Sequence, residues 1–210
     1  MTGAGAPLTI LHLAANRWWT GSADPTLRLC AGLRERGHRV LLGLVRGDRF
    51  EAMAREAGVE LVTGVRLDTH GAPLALLRDV RGLRRLIRAE RVDVVHTHHS
   101  HDHWMAVLVR RSGGGGAGIP VVRSFHRLRS VKRGRLARWL YGRTAGLFAV
   151  SRLIEARCRQ VGIAQDRIHW IPGAADPRFG ARADPKPIRE EFKLGDSPVI
   201  VSVARLAPNR

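Results

Sequence analysis

Val92-Asp93-Val94-Val95-His96-Thr97-His98-His99-Ser100-His101-Asp102-His103 is the stretch on which the reading of this 210-residue chain turns. Val92 to Val95 is a short apolar run with one aspartate, rich in β-branched residues. Such a run suits a strand covered on both faces of a parallel sheet. It then breaks into histidine-rich polar residues and passes into a helix from about Asp102 to Arg111. In open α/β sheets, ligands sit beyond the carboxyl ends of the strands, so His96 to His103 are expected to line a cleft.

Working outward, the flanking chain repeats the same alternation. Leu8 to Ala14, Val40 to Val45, Val59 to Val62, Val121 to Phe125, Leu147 to Val150 and Arg167 to Ile171 read as strands. Ser22 is placed to cap the first helix, with Asp24 in its positive first turn and Pro25 near its start. Leu27, Cys30, Ala31 and Leu33 form its apolar stripe, and Gly37 ends it. Further helices read as Phe50 to Ala57, a longer one opening at Pro73, Leu136 to Arg143, and Arg152 to Val161 behind a Ser151 cap. Ser112 to Gly118 is a glycine-rich connector. This alternation predicts an α/β fold with a doubly wound parallel sheet. After Ile171 the texture changes. Asp176 to Lys186 has no periodicity, Ile188 to Phe192 suits one helical turn, and Val199 to Val203 is again a buried-strand run. One strand of a new sheet cannot bury itself alone, so the chain is expected to be a fragment or to be completed by another polypeptide.

Composition narrows the class. At 44% hydrophobic and 26% charged, the chain is globular in character. No apolar run is long enough for a membrane-spanning helix. Met1 to Pro7 lack a basic region before Leu8 to Leu13, so no signal peptide is expected. Cys30 and Cys158 fall in separate helices, which suits a reduced, cytoplasmic protein. The net charge is +18, and 33 of the 36 basic residues are arginine. Solvated helix faces account for part of this. The rest suggests attraction to something anionic: phosphates, acidic lipid headgroups or nucleic acid. The densest cluster, Arg123 to Arg143, carries Leu136, Trp139 and Leu140 at helical spacing. It suits a basic amphipathic surface, although the pattern favours those apolar residues facing the core. No helix-turn-helix, aromatic RNA-binding strand or zinc pattern occurs, so nucleic acid is not the expected partner.

Five stretches, in order and spanning nearly the whole chain, resemble the N-terminal half of a GT-B glycosyltransferase of the retaining family 4 group. They are Trp19-Thr20-Gly21 with the helix running to Gly37-His38-Arg39-Val40; Val92 to His98; Val121-Val122-Arg123-Ser124-Phe125-His126; Ala149-Val150-Ser151 with Arg167 to Asp176; and Val203 to Arg210. The resemblance implies a Rossmann-like acceptor-side domain over residues 1–172. It implies a linker over 173–197 and the first strand and loop of a second Rossmann-like, donor-binding domain over 198–210. Several positions depart from the family pattern: Thr20-Gly21 stands for Gly-Gly, Gly173-Ala174 for Asn-Gly, Ala204 for a glycine and Arg210 for a lysine. The family's paired-glutamate motif is absent from this sequence.

The activity so implied is transfer of a sugar from a nucleotide-diphosphate-sugar donor to a glycan or lipid-linked acceptor, with retention of configuration. Thr20 and Gly21, at a helix start that favours an anion, would meet the donor. His126 would contact the transferred sugar or the donor phosphate; imidazole can donate to charge developing there. Arg205 and Arg210 would hold the diphosphate as it leaves. Trp18, Trp19, His98 and His99 are candidates for the acceptor side of the cleft, with lid packing over the core the rival reading of the tryptophans. His12 reads as structural. The cluster His96, His98, His99, His101, Asp102 and His103 invites a metal reading. Against it, His101 and His103 are too close in a helix to share one face, and the resemblance implies no bound metal and no cofactor. Its basic surface points to envelope acceptors at the inner face of the membrane. The rivals are a non-catalytic or split acceptor-binding half needing a partner chain, and a basic nucleic-acid-binding module.

Overall fold

A computed structural model describes residues 6–16, 19–67, 73–112, 118–173 and 184–202. The chain divides into two compact units, Met1–Gly173 and Ala174–Arg210. The first is built on seven strands: β1 (Thr9–Ala14), β2 (Arg39–Leu44), β3 (Glu60–Leu61), β4 (Val94–Thr97), β5 (Val121–Phe125), β6 (Gly146–Ala149) and β7 (Ile168–Trp170). All pair in parallel, in the order β3-β2-β1-β4-β5-β6-β7. The helices are α1 (Ala23–Glu35), α2 (Arg49–Glu56), α3 (Pro73–Ala89), α4 (Ser100–Val109), α5 (Arg135–Tyr141) and α6 (Arg152–Gln160). This is the doubly wound α/β sheet read from the sequence, and its order reverses between β1 and β4. That reversal is the topological switch point, where such sheets open a crevice at their carboxyl ends.

The strands are apolar on both faces, as a covered parallel sheet demands. Along β2, Val40, Leu42 and Leu44 join Ala23, Leu27 and Phe50 of the first two helices in one cluster. Leu41, between them in sequence, joins Leu11, Leu13, Leu83 and Ile87 in the other. Helix α3 closes tightly on the loop after β3: a Cβ at Gly82 would lie 2.1 Å from the carbonyl oxygen of Gly64, so only glycine fits there.

The boundaries shift where local chemistry decides. The organising strand begins at Val94 and runs on through His96 to Thr97, and α4 starts at Ser100. Asp93 is occupied at the strand's foot, its carboxylate accepting the Thr9 amide at 2.7 Å. The expected strand at Val59 to Val62 shrinks to two residues, because it pairs only with β2. Ser22 stands at the start of α1 but makes no side-chain cap; its hydroxyl turns to Asn16 and Thr20 instead. Ser151 does cap α6, accepting from the Ile154 amide at 3.3 Å. In α5, Ala137, Leu140 and Tyr141 face the core, while Leu136 is 72% exposed, so the core-facing expectation holds for only part of that helix.

In the second unit, α7 (Lys186–Glu191) overlaps the predicted helical turn, starting two residues before it and ending at its cap, Phe192. No strand forms over 198–202, and Val199, Ile200 and Val201 are exposed. That part of the predicted strand finds no neighbour among the described residues to share its backbone hydrogen bonds, and without one a strand does not form.

A buried histidine stack at the switch point

The carboxyl ends of β1, β4 and β5 carry the candidate site. His12 on β1 lies directly beside His96 on β4 in the strand register. His98 follows β4 and His126 follows β5. Their rings form a stack, with His12 and His96 4.8 Å apart, His96 and His98 4.5 Å, and His98 and His126 5.4 Å. His12, His96 and His98 are buried, and His126 is partly exposed at the end of the row. His98 is bonded on both sides: its Nε2 lies 3.1 Å from Nδ1 of His12, and its Nδ1 lies 3.1 Å from Nε2 of His126. His96 pairs with the Ser124 hydroxyl at 2.8 Å.

Burial keeps this stack uncharged. Desolvation pulls His12 down to about 4, and pulls His96 and His98 well below the ordinary imidazole range. His126 falls to about 4, first through burial and then through the positive charges of Arg123 and Arg127. Arg123 is itself buried, with its guanidinium 5.2 Å from the centre of the Phe125 ring and Nη1 3.6 Å from Oδ1 of Asp102. Desolvation lowers its pKa to about 10 despite that carboxylate.

Asp102 organises the turn above. Its carboxylate accepts the amides of His98 at 3.1 Å, His99 at 2.8 Å and His103 at 3.0 Å. This satisfies the His99 amide, which the helix itself leaves open, while the His98 and His103 amides share the carboxylate with the carbonyls of Leu13 and His99. Burial lifts the Asp102 carboxyl to about 7, against the pull of Arg123 and the three amides.

The loop between β1 and α1 joins the same network. Asn16 Nδ2 donates to the hydroxyls of Thr20 and Ser22, each at 3.2 Å. Thr26, one turn into α1, donates to the Ser22 carbonyl at 2.7 Å and lies 3.2 Å from Nδ1 of His98. An unbroken path therefore runs from the Thr20-Gly21 loop through Ser22, Thr26 and His98 to His126. Gly21 is exposed. Its φ lies outside the left-handed region, and a Cβ there would meet nothing within 4 Å.

Several expectations change at this point. His98 is buried beneath His126 and does not line an open cleft; the strand runs two residues further than its apolar pattern suggested and carries His98 inward. His99 is half-buried, and its backbone opens α4. Trp19 leans over Phe50, ring centres 6.1 Å apart, as part of the core's lid, the rival reading of that residue. Trp18, Arg205 and Arg210 lie outside the described residues. His12, read as structural, is a member of the stack. Thr26 and Arg123 were not singled out from the sequence. Arg123 did carry a signal: a charge in the middle of a strand that is otherwise mostly apolar must find a buried partner.

The metal reading also meets this geometry. Nitrogens of His12, His96 and His98 lie within 4.8 Å of one another. However, both nitrogens of His98 are engaged in hydrogen bonds, His96 and His98 stack at 17° to each other, and near-parallel rings do not aim their lone pairs at one point.

Residues 20–179 match Glycosyltransferase Family 4. The chain belongs to that family. No curated protein matches it by sequence. Among solved structures it is similar to a glycosyltransferase from Rickettsia africae ESF-5, with a TM-score of 0.73 at 18% identity, over 94% of this chain and 52% of that one. It is also similar to Anabaena HepE in complex with UDP and glucose, with a TM-score of 0.72 at 16% identity, over 96% and 54%. A third likeness is to the sucrose-phosphate synthase of Thermosynechococcus elongatus, with a TM-score of 0.66 at 13% identity, over 91% and 54%. At these identities the likeness is one of fold. The chain spans about half the length of the structures it matches.

Proposed function

We propose that the chain forms the acceptor-side lobe of a glycosyltransferase that moves a sugar from a nucleotide-diphosphate-sugar donor to a glycan or lipid-linked acceptor, with retention of configuration. Family membership supports the reaction class. The observation that carries the site is the hydrogen-bonded path from the Thr20-Gly21 loop to His126 across the switch point. A Cβ at Gly21 would meet nothing within 4 Å, so the loop leaves open space in which the donor can approach its backbone. A neutral His126 donates a hydrogen bond to the transferring sugar or its phosphate without competing for a proton. By the family resemblance, Arg205 and Arg210 would neutralise the departing diphosphate. No metal is required, since the arginines do that work. HepE was solved with UDP and glucose, which supports a uridine diphosphate sugar as the first donor to try.

We read the basic, partly apolar surface as contact with anionic lipid at the inner face of the membrane, where lipid-linked acceptors are presented. Leu128 and Leu153 stand exposed in the same region as Arg129, Lys132, Arg133 and Arg157, and the exposed Leu136 adjoins Lys132 and Arg133. No described helix is long and apolar enough to cross a membrane.

The test is release of nucleoside diphosphate from a panel of sugar donors, with and without candidate acceptors. His126→Ala should lower the acceptor-dependent rate about 100-fold, the usual loss for one aimed donor, while the melting temperature moves little because the residue ends the stack. A wild-type protein that leaves every donor intact, or a His126→Ala variant that matches it, overturns the reading.

A further inference from the structure

We propose that Thr26 acts as a positioning residue: through His98 it holds His126 in the tautomer that carries its proton on Nδ1. Thr26 has one hydroxyl hydrogen. Its oxygen lies 2.7 Å from the Ser22 carbonyl, which can only accept, so the hydrogen is spent there. Toward Nδ1 of His98, 3.2 Å away, the hydroxyl can then only accept. His98 must therefore carry its proton on Nδ1.

The rest of the row follows from one proton per ring. Burial keeps His12, His98 and His126 neutral near pH 7, so each ring has one donor and one acceptor. His98 Nδ1–H also faces Nε2 of His126 at 3.1 Å, so that nitrogen accepts and the His126 proton sits on Nδ1. On the other side, His98 Nε2 has no proton and must accept from Nδ1–H of His12 at 3.1 Å. That leaves His12 Nε2 as a bare lone pair. It is indeed one of the buried polar atoms without a hydrogen-bond partner, and a lone pair is a smaller loss there than an orphaned N–H. One hydroxyl on α1 thus decides which nitrogen of His126, on the far side of β4, is left as a donor for anything outside the stack. The carbonyl that commits Thr26 belongs to Ser22, next to Gly21, so the donor loop and the histidine are set by the same contact.

The consequence for transfer rests on the proposed role of His126; the tautomer assignment does not. The experiment labels the full chain with ¹⁵N-histidine and reads both ring nitrogens of His98 and His126 by long-range ¹H–¹⁵N correlation near pH 7.5. In the wild type, Nδ1 of both rings should resonate as protonated and Nε2 as unprotonated. Thr26→Val keeps the branched shape and removes the acceptor. It should convert both signals to a mixture or to the opposite tautomer, and Thr26→Ser should restore them. A wild-type His126 protonated on Nε2 overturns the proposal, even if Thr26→Val fails to fold. So does a Thr26→Val spectrum unchanged from wild type. In the transfer assay, Thr26→Val should lower kcat about tenfold, the worth of one hydrogen bond, with the donor KM little altered. A tautomer change without any loss of rate sustains the assignment and removes His126 from catalysis.

Discussion

The two neighbours of β1 are built on opposite principles. On one side, Ile10, Leu11 and His12 lie against Val40, Leu41 and Leu42 of β2. On the other, His12 lies against His96 of β4. The β2 side is apolar along its buried length, whereas the β4 side and its neighbour β5 bury His12, His96, His98, Asp102 and Arg123. The backbone ladder is the same on both sides, so it does not explain the difference. A buried imidazole or guanidinium forgoes solvation that a leucine never had, and only hydrogen bonds offset the loss. The polar side coincides with the switch point, where the sheet opens. The apolar half supplies stability, and in the function proposed above the polar half gives some up to hold hydrogen-bond donors in place.

Asp102→Asn strikes this division hardest. The variant keeps one acceptor, turns an NH₂ toward the amides of α4 and leaves Arg123 without its counter-charge. Chemical denaturation should show a loss of about 3–5 kcal/mol, the cost of stranding one member of a buried pair, and transfer per folded molecule should fall with it. Leu42→Ala should cost a similar amount, about 2–5 kcal/mol, yet leave transfer per folded molecule at the wild-type level. If both variants spare activity, or both lose it, the two halves are not distinct.

Acid sharpens the same contrast. His12 and His126 are held near 4 and His99 near 3, while His96, His98 and His103 lie well below the ordinary value. Unfolded histidines take protons near 6.5, so below that pH the unfolded state binds more protons than the folded one. Stability should fall as the pH drops from about 6.5 toward 4, each histidine approaching about 1.4 kcal/mol per pH unit. Asp102, raised to about 7, works in the opposite direction over this range, but it is one group against six. Thermal melts across pH 4–7 check this. A protein equally stable at pH 4.5 and pH 7 would mean that the stack is not neutral. His12→Leu should flatten the profile.

The smallest effect on folding is expected at the surface. Lys132→Glu with Arg133→Glu should change stability by less than about 0.5 kcal/mol. The pair should also weaken flotation with phosphatidylglycerol vesicles at least tenfold, at about 1 kcal/mol per basic residue. Equal flotation with neutral and anionic vesicles would sink the membrane reading.

Much of the architecture was legible because it depends on local pattern. The apolar runs at Leu8 to Ala14, Val40 to Val45 and Val121 to Phe125, separated by helical stripes, have few alternatives to a parallel sheet. The errors fell where a partner decides. Val199 to Val203 reads as a strand by composition, yet residues 199–202 have no strand neighbour among the described residues. Leu136 and Leu140 share one pattern, yet only Leu140 reaches the core. Ser22 has the chemistry of a cap and gave its hydroxyl to Asn16.

By itself, the sequence determined the alternation of strand and helix, the family, and the histidine at 126 as a strand-end residue, because periodicity and motif order are properties of neighbouring residues. Tertiary structure alone decided that residues 12, 26, 98 and 126 form one hydrogen-bonded row. They come from three strand ends and a helix, and parallel crossovers carry them together across more than a hundred residues of chain. Which nitrogen holds a proton depends on atoms about 3 Å apart in space, a distance the order of residues does not contain.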